Sequence, residues 1–180
     1  MGALLLQLSP GFSPRHHRLN ELDSLLEILS GYPVAIELRN RNWVLDEELQ
    51  ETRRFFKQRD LTFVMVDGPM DPHFMILPSI DLVTSRHLGY LRAHGRNAAG
   101  YIRERTVAGR FDYDYSKTEL EQLAARASRL VRKVSEMHVV YNNNKADYAP
   151  RAAKTFQEIL TEDYPDVVPE TVKERALAYA

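Results

Sequence analysis

Glu37 and Arg39 stand two residues apart, as do Arg92 and His94. Side chains alternate along extended backbone, so each pair would share one side of its strand. Gln7 with Ser9, Asp67, and Asn142 with Asn143 close three other apolar runs in the same way. Arg39 and Arg92 can clamp a phosphate or carboxylate. His94 can move a proton that Glu37 or Asp67 orients, and the amides of Gln7, Asn142 and Asn143 can bind hydroxyls. Trp43, four residues beyond Arg39, can stack on a ligand or pack on a neighbouring loop. The set reads as a site for a small anionic or polyhydroxylated molecule, with His94, Glu37 and Asp67 as the catalytic candidates. The same residues also admit a salt-bridge network, Glu37 and Asp67 balancing Arg39 and Arg92, because a buried unpaired charge is costly.

Other chemistries have less support. Glu37, Asp67 and His94 are suitable ligands for a divalent cation, but their spacing is not diagnostic, and no metal is expected. His73 and His87 lack helix-spaced partners, and His16 and His17 lie in an arginine-rich stretch expected to be solvated. No G-x-S-x-G elbow supports a serine triad, and neither G-x-G-x-x-G nor G-x-x-x-x-G-K-[ST] occurs, so the sequence names no cofactor.

To act together these residues must be carried on rigid elements. Five runs read as strands, Leu4 to Leu8, Val34 to Arg39, Leu61 to Asp67, Leu88 to His94 and Met137 to Asn142, since each is apolar and bounded by turn or cap residues. Helices are expected at Leu19 to Leu29, stopped by Gly31; at Asp46 to Arg59, with Asp46 as cap; at Ser116 to Val134; and at Asp147 to Leu160. The third has the clearest start, a capping box from Ser116 to Glu119. Gly68 to His87, with Pro69, Pro72 and Pro78, reads as an irregular connection. Strands alternating with helices imply an α/β protein of parallel βα units. With polar residues at the strand ends and no nucleotide motif, part of a (β/α) barrel is expected over an open doubly wound sheet.

The 180 residues include 24 basic and 25 acidic side chains, 44% hydrophobic residues and no cysteine. That balance excludes the overall positive field of a typical nucleic-acid binder, and the lack of cysteine excludes disulfides and thiol chemistry. Arg126, Arg129, Arg132 and Lys133 read as a solvated helix face. Nucleic acid bound through such arginine-rich faces, by a non-catalytic scaffold, is the alternative to a small-molecule site. No run approaches the ~18 apolar residues of a membrane span, and a soluble cytoplasmic protein is expected.

Leu4 to Pro10, Ala35 to Arg39 with Trp43, Asp67, Tyr90 to Arg96, Phe111 to Ser116 and Tyr141 to Asn143 together resemble the YecE-like family, a domain of unknown function. Ser9 stands where the family usually has a first proline, and Asn144-Lys145 replaces a more usual polar turn. The resemblance implies a TIM-barrel-like fold and no particular activity. It also implies that the chain corresponds to the C-terminal portion of a longer barrel, because the family's opening strand motifs do not occur in it. An incomplete barrel of about five strands over residues 1–162, with a C-terminal extension at 163–180 that can hold a short helix, is the expectation. Its open edges would favour self-association, and the fragment alone would be inactive.

Overall fold

Buried on both faces, a strand in a parallel sheet needs a nearly continuous apolar run, and the centre of this fold is built from three of them. In the computed structural model, which describes residues 2–70, 77–103, 109, 112–143 and 145–170, Val34–Glu37 (β2), Thr62–Asp67 (β3) and Leu88–Ala93 (β4) are buried throughout. Leu4–Gln7 (β1) and Glu136–Tyr141 (β5) flank them and are more open. All five pair in parallel, in chain order, and curl into a half-barrel. Gln7 lies beside Glu37, and Asp67 beside Ala93, so the polar strand ends form one rim.

Helices bounded within the described residues are Asp23–Ile28 (α1), Asp46–Gln58 (α2), Ala98–Arg103 (α3), Lys117–Val131 (α4) and Tyr148–Asp163 (α5). α2 turns Thr52, Phe55 and Phe56 inward, while α5 buries Ala152, Phe156 and Ile159. α4 starts at the expected capping box: Ser116 Oγ accepts from the Glu119 amide at 3.4 Å, and the Glu119 carboxylate accepts from the Ser116 amide at 2.9 Å.

Several expectations need correction. The first helix is split into a 3-10 turn at Leu19–Leu22 and the short α1. Asp46 does not cap α2; Leu45 holds that position without a side-chain bond, and Asp46 takes φ of +47°. α3 was not anticipated, although Asn97 Oδ1 accepts from the Gly100 amide at 2.8 Å, the kind of local bond with which Asn opens a helix. Pro72, His73, Phe111, Asn144 and the extension beyond residue 170 lie outside the described residues; the described part of the extension has a 3-10 turn at Pro165–Val167.

Arg126 is not on the solvated face of α4. It is buried, and its guanidinium donates to Asp81 Oδ1 at 2.6 Å, the Val66 carbonyl at 2.9 Å, Ser79 Oγ at 2.9 Å and the Ile80 carbonyl at 2.9 Å. The irregular connection before β4 supplies acceptors that a helix-face pattern cannot reveal, and Arg126 fastens it to α4. Arg126→Ala is expected to cost about 1–3 kcal/mol in chemical denaturation, since buried carbonyls lose their donor; an unchanged midpoint would count against this anchoring.

Five of the exposed large apolar side chains, Leu4, Leu5, Leu25, Ile28 and Tyr32, belong to β1, α1 and the turn into β2. Among the described residues no helix is long and apolar enough to cross a membrane.

Candidate functional site

At the C-terminal end of the sheet, alternation assigns successive residues to opposite faces, and two polar clusters result. The inner one centres on Glu37, which has 0% exposure. Its Oε2 is hydrogen-bonded by Arg92 Nη1 and its Oε1 by His94 Nε2 at 3.0 Å, while Arg39 Nε lies 3.4 Å from Oε1. Arg92 Nη1 also donates to Gln7 Oε1 at 2.6 Å, and Arg92 Nη2 to Asn142 Oδ1 at 3.0 Å. Asn142 Nδ2 is 3.1 Å from His94 Nδ1, which closes a ring through Glu37, Arg92, Asn142 and His94. Burial alone would push the Glu37 carboxyl up. The hydrogen bond and electrostatic interaction with His94, followed by the charges of Arg92 and Arg39, outweigh burial and hold it below the usual carboxylate range.

Asp67 starts the outer cluster. Its carboxylate accepts from Arg96 Nη2 at 2.9 Å, from Arg96 Nε at 3.0 Å and from Tyr115 Oη at 2.8 Å. Tyr115 Oη in turn accepts from the Gly95 amide at 2.9 Å, and Arg96 Nη1 donates to Gln122 Oε1 at 3.0 Å. Tyr113 Oη donates to Glu119 Oε1 at 2.5 Å. Burial pushes the Tyr115 hydroxyl well above its ordinary value, and the Asp67 charge adds to it.

Gln7, Glu37, Arg39, Arg92, His94 and Asn142 are therefore brought together as expected, whereas Asp67, Asn143 and Trp43 are not. Val66 is the register partner of Arg92, so Asp67 is one residue out of phase with the inner face and balances Arg96 instead of Arg39 or Arg92. Asn143 is fully buried and donates to the Tyr113 carbonyl at 2.8 Å. Trp43, 2% exposed, donates from Nε1 to the Phe12 carbonyl at 2.7 Å and stacks on the Phe12 ring at 5.3 Å. It joins the loops after β1 and β2 and is closed to a ligand. The sequence reading missed Arg96, Tyr113, Tyr115 and Glu119; the signal was the need of Asp67 for a cationic partner close by, and Arg96 follows His94 by two residues.

Arg92 Nε, Tyr141 Oη and Asn143 Oδ1 are buried without a hydrogen-bond partner among the described residues, and all three lie at or just beyond the ends of β4 and β5. Native proteins leave few such atoms. Arg39, partly exposed, meets Glu37 through Nε, and its terminal nitrogens donate to no other group among the described residues. An open groove of ≈ 750 Å³ lies at the opposite end of the sheet, against Val34, Leu61 and Leu88. Of its charged lining, Arg59 pairs with Asp23 at 2.9 Å and His87 lies 3.8 Å from Asp60, so this groove and the polar clusters are at different ends of the sheet. Among the described residues no group of three histidine or acidic side chains could hold a metal ion.

The family model described as "Protein of unknown function DUF72" matches residues 1–176. The UPF0759 protein YunF of Bacillus subtilis is 25% identical over 175 residues, which cover 94% of this chain and 61% of YunF. The crystal structure of a DUF72 family protein from Enterococcus faecalis superposes with a TM-score of 0.79 at 29% identity, over 88% of this chain and 58% of that one. A DUF72 family protein from Thermotoga maritima gives 0.73 at 30% identity, over 87% and 56%. The chain thus spans about three fifths of the length of these relatives.

Proposed function

Since this chain belongs to the DUF72 family, the family that also carries the YecE name and has no assigned activity, we propose from its own geometry that it binds a small anionic or polyhydroxylated molecule at the C-terminal ends of its strands. The observation that carries this reading is the pair of donors left over at the inner cluster. Among the described residues the terminal nitrogens of Arg39 and the buried Nε of Arg92 have no acceptor, while Glu37, His94 and Asn142 are matched to one another and to Arg92. A phosphate or carboxylate would supply acceptors to the Arg39 fork, and hydroxyls would meet Gln7, exposed at the rim. Conversion of the ligand would use Glu37 and His94 as the only ionisable pair in this cluster that can exchange a proton; Asp67, committed to Arg96 and Tyr115, would act from outside it. That the chain corresponds to the C-terminal portion of a longer barrel is supported by β1, which among the described strands pairs with β2 alone; any activity would then belong to the longer barrel.

Titration calorimetry with glycerol 3-phosphate, and with glycerol as the uncharged control, tests the binding. Heat of binding is expected for the phosphate ester. Arg39→Met should weaken it by about tenfold or more, as for loss of a charge-assisted hydrogen bond. Equal affinity in the variant, or no binding at millimolar ester, would leave the inner cluster as a structural network.

A further inference from the structure

Donors and acceptors around the inner ring admit one placement of protons. Arg92 can only donate, so the Asn142 atom 3.0 Å from its Nη2 must be the amide oxygen. The other amide atom is then the NH2 group, and it lies 3.1 Å from His94 Nδ1. An NH2 group only donates, so Nδ1 must accept and carries no hydrogen. At the far side of the imidazole, Nε2 lies 3.0 Å from Glu37 Oε1. That oxygen belongs to a carboxylate held between Arg92 and Arg39, so the hydrogen is on Nε2. Turning the Asn142 amide over cannot accommodate a hydrogen on Nδ1, because its NH2 would then face the Arg92 guanidinium, donor against donor.

We propose that Asn142 is a positioning residue: held by Arg92, its amide fixes His94 as a neutral imidazole with its hydrogen on Nε2, donated to Glu37. His94 is thereby oriented, and its lone pair is engaged. A ligand hydroxyl reaches Nδ1 as a base only by displacing the Asn142 amide. The charge balance follows as well. With His94 neutral, the inner cluster sets one carboxylate, Glu37, against two guanidinium groups, Arg92 and Arg39, and keeps an excess of one positive charge. The ligand group that meets it is therefore anionic; this last step rests on the binding reading above, whereas the proton placement does not.

The full chain labelled with 15N-histidine, without ligand at neutral pH, tests the assignment through long-range 1H–15N correlations of the imidazole rings. The chain has six histidines, and the His94 signals are the ones that disappear in His94→Gln. The wild-type ring is expected to show one protonated and one unprotonated nitrogen, in the coupling pattern of the Nε2–H form. In Asn142→Asp, a carboxylate faces both Arg92 and Nδ1 and accepts from each, so both His94 nitrogens should become protonated. Two protonated nitrogens in the wild type, the Nδ1–H pattern, or an unchanged His94 spectrum in folded Asn142→Asp would overturn the proposal. Should Asn142→Asp fail to fold, the wild-type spectrum decides alone. A chain with the expected spectrum that binds no phosphate ester refutes the ligand reading and leaves the proton placement standing.

Discussion

Glu37→Ala is expected to lower folding stability by about 3–5 kcal/mol, the usual cost of removing one partner from a buried ion pair. The carboxylate is fully buried and is the acceptor for Arg92 and His94. Without it, the Arg92 guanidinium, whose side chain is 8% exposed, keeps its charge in low dielectric with only the neutral oxygens of Gln7 and Asn142 as partners. Arg39 is less affected, because at 16% exposure it can turn to water. Equilibrium denaturation of the single variants and of Glu37→Leu/Arg92→Leu checks the argument. The double variant removes both charges and should lose less than the sum of the single losses. Additive losses would mean that the pair is not coupled.

The same carboxylate should shape the acid side of the stability curve. Its pKa is lowered in the folded state, so its contribution is complete above the unfolded-state value, about 4.3, and is lost as pH falls through the lower folded value. Glu37→Ala should therefore have a flatter acid limb than the wild type. Some slope remains, because Glu119 is also lowered: its burial raises it, and hydrogen bonds from Tyr113 and Ser116 with the Arg96 charge more than compensate.

Gly95→Ala should cost roughly 2–5 kcal/mol, combining a left-handed backbone with an overpacked contact. Gly95 has φ of +85°, and an added Cβ would lie 2.6 Å from Tyr113 Cβ and 3.2 Å from its Cγ. Tyr113 cannot yield alone. Its hydroxyl holds Glu119 at 2.5 Å and its carbonyl holds Asn143 at 2.8 Å, while the Gly95 amide donates to the Tyr115 hydroxyl that bonds Asp67. A methyl group at this position thus strains the outer cluster from β3 to the start of α4. Thermal melts give the size of the loss, and phenol absorbance gives its place. Tyr113 is pushed up to about 12, chiefly by burial and then by its bond to Glu119, and in the variant it should titrate closer to an ordinary tyrosine. A melting curve and a Tyr113 titration unchanged from wild type would remove Gly95 from this role.

Local features decided what could be read in advance. Each apolar run bounded by turn residues became a strand within a few residues of its expected limits, because burial between two layers demands continuous apolar character. The Ser116–Glu119 box started a helix because its bonds span three residues and need no tertiary partner. The two-residue spacing of Glu37 with Arg39 and of Arg92 with His94 was enough to place each pair on one face. Which partner each polar group took depended on elements far away in the chain. Arg92 and Glu37 are 55 residues apart, and Asn142 and His94 are 48 apart. Asp67 missed the inner cluster by a single step of strand register, and the same period that put Glu37 inward put Asp67 outward. Arg126 was on a regular helical face and still became buried, because the irregular connection folded over it with Asp81, Ser79 and the Ile80 carbonyl as acceptors. Sequence alone determined the elements and the polar character of their ends, since these follow from interactions within one segment. The tertiary structure decided the pairing, because a buried charge takes the nearest compensating group in space, and that depends on register and packing between segments.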